Sequence, residues 1–517
     1  MRKNLTLNLG LRWSRFALGY SANNRISNYV PRLYDGRNPL SGLVSAGTPG
    51  FDRSLVKPYN KGFQPRVGLA WDIFGDGKTA LRMGFGRYLS RTNVIEDINR
   101  LSGNPPWTKS VSSNWGGSSS NLADDPTFRS LDTINPGLKN NVAGVGANTA
   151  FNAVSEDFRP PESWQWNLTV SRELMKNTVA EVSYIGNHGL HIWRRAVPFN
   201  DVKPSARLAV ATAERNSLFG GDPQGVISAN RRFSGLGPVT LSESTGSSNY
   251  NALQVWVNRR FSDRLAFQGA YTWAHTISDV ALTSFTNATT DPYNYTLDRG
   301  DADLDRRQTF TANAVYELPT FKKWGSVANH LLGDWQLNGI LSIYGGAPLD
   351  ISSGANTIGL ASLANTGIRP NRVAGVPLYL KRPGDKLQWL NPAAFALPGV
   401  GQAGSLGRGT VRMPATQNID FSLAKNWSFK ERYGVQFRAE MFNVFNHVNY
   451  NGIETNLAFN NQAKFLGDPC NGRAIIPAGN LNAGSVSSCG QAQNGNFGRL
   501  NHDNGAREIQ FGFKFTF

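Results

Sequence analysis

The sequence predicts an all-β chain folded as an antiparallel transmembrane β-barrel. Three observations carry this: a hydrophobic period of two repeated about a dozen times, connections that alternate short with long, and aromatic residues gathered at strand ends. Composition agrees. Among 517 residues there are 54 glycines, 26 prolines, 13 tryptophans and 29 phenylalanines, with only 17% charged side chains, which suits turns and strands better than helices. No stretch approaches the roughly 18 uninterrupted apolar residues of a spanning helix. A mean hydropathy of −0.36 is still compatible with full embedding, because a barrel strand shows lipid only every second residue.

Taken in order, the first alternating segment is Asn4 to Trp13, with Leu5, Leu7, Leu9, Leu11 and Trp13 on one face. Arg66 to Ile73 and Thr79 to Tyr88 form a hairpin around Gly75-Asp76-Gly77-Lys78. Further hairpins run from Trp164 to Tyr184 about Met175-Lys176-Asn177, and from Asn251 to His275 about Ser262-Asp263-Arg264. Thr309 to Leu318 pairs with Trp335 to Tyr344, and Asn418 to Lys425 with Tyr433 to Asn443. The C-terminal strand, within 506–517, places Ile509, Phe511, Phe513, Phe515 and Phe517 on one face. In water such a face is an aggregation hazard; lipid removes it.

Short links fall near residues 75, 175, 262, 326 and 429. Long ones fill Ser14 to Gln64, Leu89 to Ser163, His188 to Tyr250, Thr276 to Arg307, Gly345 to Gln417 and Val444 to Gly505. Outer-membrane barrels have short periplasmic turns and long extracellular loops, so the pattern sends the first strand outward and returns the twelfth to the periplasm. Trp13, Trp164, Trp166, Tyr271 and Trp273 lie at the ends next to long loops, and Tyr316, Trp335 and Tyr433 at the ends next to short ones. Two aromatic belts result.

The N-terminus, MRKNLTLNLGLRW, alternates and so lacks the continuous apolar core of a secretory signal. A formal charge of +17 is spread along the chain without a nucleic-acid-binding motif, so basic loops against outer-membrane lipid and lipopolysaccharide, or a basic lumen, are expected in place of a nucleic-acid partner. Cys470 and Cys489 lie close together in a Gly/Asn/Ser-rich segment, which suits a loop disulfide in an oxidising compartment; two thiols in a cytosolic loop would look the same.

The remaining motifs favour structural roles. Gly399-Val400-Gly401-Gln402-Ala403-Gly404 matches a dinucleotide fingerprint but follows Pro398, with no strand before it or helix after it, and reads as loop glycine. Asp301, Asp303 and Asp305 could share a cation, yet Arg306 and Ala312 stand where an EF-hand needs Gly and Glu. Pairing with Arg299, Arg306 and Arg307 at the outer mouth is the expected role. His188 and His191 have no third ligand at a zinc-like interval, and no G-x-S-x-G or paired serine and histidine motif occurs; neither a metal, a cofactor nor a catalytic residue is assigned. Arg82, Asp420, Arg438 and Glu440 fall on the polar face and would project into the lumen. A turn centred near Phe429 would make Asp420 and Arg438 cross-strand neighbours.

Several stretches carry a resemblance: NLTLNLGLRW, FQPRVGLAWDIFGDGKTALRMGFGRY, SWQWNLTVSREL, YNALQVWVNRRFSDRLAFQGAYTWAHTISD, DRGDADLDRRQTFTANAVYELP, LLGDWQLNGILSIYGGAP, NIDFSLAKNWSFKERYGVQFRAEMFNVFNHVNY and NFGRL. In order and spacing these resemble the Oar-like TonB-dependent outer-membrane receptors, whose chains begin with a carboxypeptidase-regulatory-like domain and a plug. The resemblance implies a bacterial outer-membrane location and energy-coupled uptake. It implies a C-terminal strand ending in Phe, here Phe511, Phe513, Phe515 and Phe517, read by the barrel-assembly machinery. Such a barrel has about 22 strands around a plug, whereas about 12 are counted here. Residues 1–517 are therefore expected to be the C-terminal part of that barrel, with a plug and about ten strands preceding Met1, and to meet TonB only through that plug. A passive channel, a truncated fragment and a soluble surface-binding module are the competing readings. The last should repeat at a near-constant interval, which these loops do not.

Overall fold

The structure is a computed structural model that describes residues 4–38, 40–91, 99–107, 150–211, 223–282, 289–354, 358–360, 368–380, 387–399, 401–429, 433–457 and 494–517. Among these residues twelve long strands form one continuous antiparallel meander. They are β1 Leu5–Phe16, β2 Tyr59–Asp72, β3 Thr79–Leu89, β4 Glu162–Met175, β5 Thr178–Pro198 and β6 Val239–Ser262. They continue with β7 Leu265–Ser278, β8 Gln308–Glu317, β9 Trp335–Tyr344, β10 Thr416–Phe429, β11 Tyr433–Phe442 and β12 Glu508–Thr516. Each pairs with the next in sequence, and β1 and β12 form the two edges.

Register keeps the alternation coherent from strand to strand. Leu7 opposes Leu69, Leu69 opposes Met83 and Met83 opposes Leu168; at the far end Ala439 opposes Phe511 and Phe437 opposes Phe513. This apolar face is bare: Leu9 is 72% exposed, Trp273 58% and Phe513 77%. The opposite face carries Thr169, Ser171 and Ser183, which are buried. An apolar outside and a polar inside is the arrangement for a wall standing in lipid.

The tight turns sit at one end. Asp72 accepts hydrogen bonds from the Gly75 and Gly77 amides at 3.0 and 2.9 Å, and both glycines have positive φ, as the return of β2 into β3 requires. Asn177 closes β4 into β5 at φ 64°, and Asp263 and Arg264 close β6 into β7 at φ 51° and 67°, the paired positive values of a type I′ hairpin.

Two connections differ from the sequence reading. The link near residue 326 is no tight turn: between β8 and β9 it holds a 3-10 turn, Lys322–Trp324, and a helix, Ser326–Leu332. The supposed loop from His188 to Tyr250 is strand at both ends, because β5 runs on to Pro198 and β6 starts at Val239. Register shifts between Gly189, Ile192, Arg194 and Val197 absorb extra residues, with His191 and Ala196 at positive φ, so the ladder continues where strict alternation fails. A spanning strand needs about 9–11 residues; β5 and β6, at 21 and 24, project beyond the bilayer on the outer side.

The apolar cores lie in the outer loops, where water, not lipid, is the solvent. One groups Ile26, Val30, Val44, Leu55, Leu101, Val154 and Phe158. A second joins Tyr29, Phe151, Val197, Leu236 and Val239. A third, from the β9–β10 and β11–β12 loops, packs Ile351, Leu390, Phe395, Val411, Leu457 and Phe497. The long connections thus hold packed structure on the strand ends.

Candidate functional site

The functional surface of such a wall is its polar face and the mouth above it. Antiparallel register sets the polar residues in rows. One row runs Asn8, Gly68, Gly84 and Asn167; the next runs Gly10, Arg66, Gly86, Gln165 and Asn187. With strands about 4.8 Å apart, the two asparagines of the first row stand roughly 14 Å from each other across a glycine floor. A Cβ at Gly84 would come within 2.4 Å of Asn167 Oδ1, so the amide leans over the gap. Arg66 stacks on the Tyr88 ring at 4.7 Å. Except for Gly86, these residues line a depression of about 570 Å³ together with Tyr250, and among the described lining residues Arg66 alone is charged. Such a wall offers amide and phenol hydrogen bonds to a polar solute with little charge selection.

The four polar-face charges lie where alternation places them, but they pair differently. Register opposes Arg438 to Ala424 and Glu440 to Ser422, so Asp420 and Arg438 are not cross-strand neighbours. Phe429 pairs with Tyr433, which centres the hairpin two residues beyond the expected point; the shift is even and leaves the faces unchanged. Arg438 instead reaches Glu440 at 3.2 Å, and Glu440 accepts a hydrogen bond from Gln510 on β12. Asp420 accepts from Asn418 Nδ2 at 2.8 Å and the Asn443 amide at 2.9 Å. Arg82 lies 3.7 Å from Glu181.

At the mouth, the aspartate triplet is organised by cations. Arg307 reaches Asp301 at 2.9 Å and Asp305 at 3.1 Å, as the sequence suggests. Arg412, from the β9–β10 loop, also bridges both carboxylates, and His275 Nε2 lies 2.9 Å from Asp301. Neither partner was foreseen. Arg306 turns to the Asp305 carbonyl at 3.1 Å, while Asp303 accepts from the Leu282 amide at 2.9 Å. Asp305 is fully buried and also accepts from the Thr276 amide at 2.5 Å. Burial alone would raise the Asp301 carboxyl, but hydrogen bonds from Arg307, His275 and Arg412 outweigh it and hold the group below its ordinary value. Nearby Asp298 goes the other way, raised by burial despite hydrogen bonds from Thr290.

A second network ties β5, β6 and the β7–β8 loop. Arg194, 1% exposed, lies 3.3 Å from Asp279 and stacks on Tyr295 at 4.3 Å, and the Tyr295 hydroxyl donates to Glu243 at 2.7 Å. Burial first, then the Glu243 carboxylate, raises the Tyr295 phenol and keeps it a donor. His188 hydrogen-bonds with Asn249 at 2.7 Å, and His191 lies 4.0 Å from Glu162. Among the described residues no set of His, Cys, Asp and Glu is grouped to hold a metal ion. Gly401 and Gly404 occupy irregular loop, the latter against the Arg369 carbonyl. Cys470 and Cys489 lie outside the described residues.

Both aromatic belts are present on the apolar face, with Trp13, Tyr271 and Trp273 exposed toward the loops and Tyr316 and Tyr433 toward the turns. Sequence reasoning missed Trp427, which packs against Trp335 at 6.3 Å, and Lys425, whose ammonium lies 5.4 and 5.6 Å from the two rings. The period of two runs on through Lys425, Trp427 and Phe429, but the lysine on a lipid face concealed it.

A meander with an apolar outside, a polar inside, tight turns on one side and long packed loops on the other defines the outer-membrane β-barrel class. The chain belongs to the outer membrane beta barrel domain family, whose pattern matches residues 1–510, and its location is the bacterial outer membrane. No curated protein matches it. Among solved structures it is similar to the outer membrane transporter YddB from Escherichia coli, at 10% identity over 77% of this chain and 38% of that one, TM-score 0.39. It is similar to the siderophore receptor PiuA from Acinetobacter baumannii, at 9% identity over 99% and 41%, TM-score 0.38. It is also similar to the FrpB iron transporter from Neisseria meningitidis, at 9% over 87% and 40%, TM-score 0.36. The chain spans less than half the length of these three.

Proposed function

We propose that this chain is the barrel wall and mouth of a TonB-dependent, Oar-like transporter, with transport rather than catalysis as its role. The observation that carries the reading is the pair of edges. Among the described residues β1 and β12 are each paired on one side only, and their backbone groups need partners in hydrocarbon, where an unmet N–H or C=O costs several kcal/mol, of order 2–7. A larger barrel supplies those partners from further strands and leaves room for a plug. The polar face then meets plug and solute, and the outer loops present the ligand site. The sequence resemblance supports the same reading. A passive twelve-stranded channel is the second reading, favoured by the antiparallel relation of β1 to β12, which lets the chain close on itself.

Cysteines introduced at Leu7 and Phe513, on the lipid faces of the two edge strands, separate the two. The transporter reading expects no cross-link between them within one chain in outer membranes. A high-yield intramolecular cross-link together with steady conductance in planar bilayers would establish the channel instead.

A further inference from the structure

We propose that the helix Ser326–Leu332 is a membrane-interface anchor that lies in the periplasmic leaflet of the outer membrane. It sits on the tight-turn side, between β8 and β9, and none of its residues is buried. Its apolar side chains point outward: Val327 is 73% exposed, Leu331 62% and Leu332 49%, with Trp324 just before it at 70%. Val327 and Leu331, four residues apart, share one face of the helix, and Trp324 lies in the 3-10 turn just before it. In water this contiguous patch would be a liability.

The occupant follows from continuity with the lipid-facing belt. Trp427 donates its indole N–H to the His330 carbonyl at 3.1 Å, Trp335 donates to the Leu331 carbonyl at 2.8 Å, and Lys425 donates to the Gly333 carbonyl. All three belong to the apolar face of β9 and β10, so the free carbonyls at the helix C-terminus are satisfied from the membrane side. Asn329 fixes the other side of the segment, accepting from the Phe321 amide at 2.7 Å. The helix is thereby held level with the belt, and its exposed face extends the surface that lipid already covers. β8 and β9 have ten residues each, the number that just crosses the apolar band at barrel tilt, so this sector has little strand to spare. Indole and aliphatic side chains at the headgroup boundary are what an interfacial helix uses.

Nitroxide labels test the placement in the full chain, with Cys470→Ser and Cys489→Ser as background. Labels at Val327→Cys and Leu331→Cys in membranes should show an oxygen-to-nickel-chelate collision ratio between that at lipid-facing Val182→Cys, deeper in the bilayer, and that at the turn position Lys176→Cys, and clearly above the latter. A ratio at the Lys176 level would place the helix in water. Suppressed collision with both reagents would place it under a protein, whether another chain or a second copy; either result overturns the proposal. If labelled chains fail to fold, quenching by lipids brominated near the headgroup decides: the quenchable fluorescence should fall in Trp324→Phe, and an unchanged value would overturn the anchor.

Discussion

Replacing Arg412 with alanine should loosen the outer mouth while leaving the wall intact. Arg412 bridges Asp301 and Asp305, and its side chain is 20% exposed beside carboxylates that are 16% and 0% exposed. Removing one partner of a buried ion pair costs about 3–5 kcal/mol, because a charge is left without compensation. Arg307 still reaches both aspartates, so one surplus negative charge remains and the cost belongs at the low end, about 3 kcal/mol. At about 1.4 kcal/mol per tenfold change, local opening becomes roughly a hundredfold more frequent. Hydrogen exchange followed by mass spectrometry should show that acceleration in peptides covering Thr276 and residues 300–307, with β1 to β6 unchanged. The native network also has an acid limit. The Asp301 carboxyl is held below its ordinary value of 3.8, so its contribution is fully present above that pH and is lost as pH falls through the lower folded-state value. Native exchange rates in the Arg412→Ala chain would refute the reasoning, as would a uniform effect on every strand.

Other outcomes follow from particular contacts. Phe511→Arg puts a cation near mid-span on the lipid face, at a cost of about 2–4 kcal/mol, and should reduce the heat-modifiable barrel fraction; deletion of Phe517 should impair outer-membrane assembly in the same assay. The Trp166 ring lies where a side chain at Gly186 would be, about 2.1 Å from its Cβ, so Gly186→Val should cost about 1–3 kcal/mol and lower the unfolding midpoint in detergent; adding Trp166→Leu should restore part of it. Cys470 and Cys489 should appear as one disulfide-linked peptide pair in non-reduced digests of native membranes, and alkylation of both thiols without reduction would rule it out.

The wall was legible because lipid imposes a period of two on every strand, and a period survives errors in register. The alternation puts Arg82, Asp420, Arg438 and Glu440 on one polar face, but it could not give the partner of Arg438, because the β10–β11 hairpin is centred two residues later than expected. Contacts between distant loops leave no such imprint. Arg412 and Asp301 are 111 positions apart, and nothing local to either announces the other. The outward run of β5 and β6 was hidden for a related reason: the register shifts between Gly189 and Val197 break strict alternation while hydrogen bonding goes on. The helix after β8 was missed because its apolar residues satisfy a membrane surface and not a protein core.

The projecting β5–β6 pair has a mechanical consequence. Beyond the roughly 11 residues needed to cross, β5 has about ten to spare, or about 33 Å of strand at roughly 3.3 Å per residue. A pull at the outer end of a hairpin loads its ladder one pair at a time, the weakest way to strain a sheet, and here the first pairs are Pro198 with Thr240 and Val197 with Leu241. Those are the pairs held by the Phe151, Val197 and Val239 core and by the parallel strand Phe151–Val154 along β6. Unzipping must begin by tearing that clamp, so a load applied at the tip is delivered whole to the wall below.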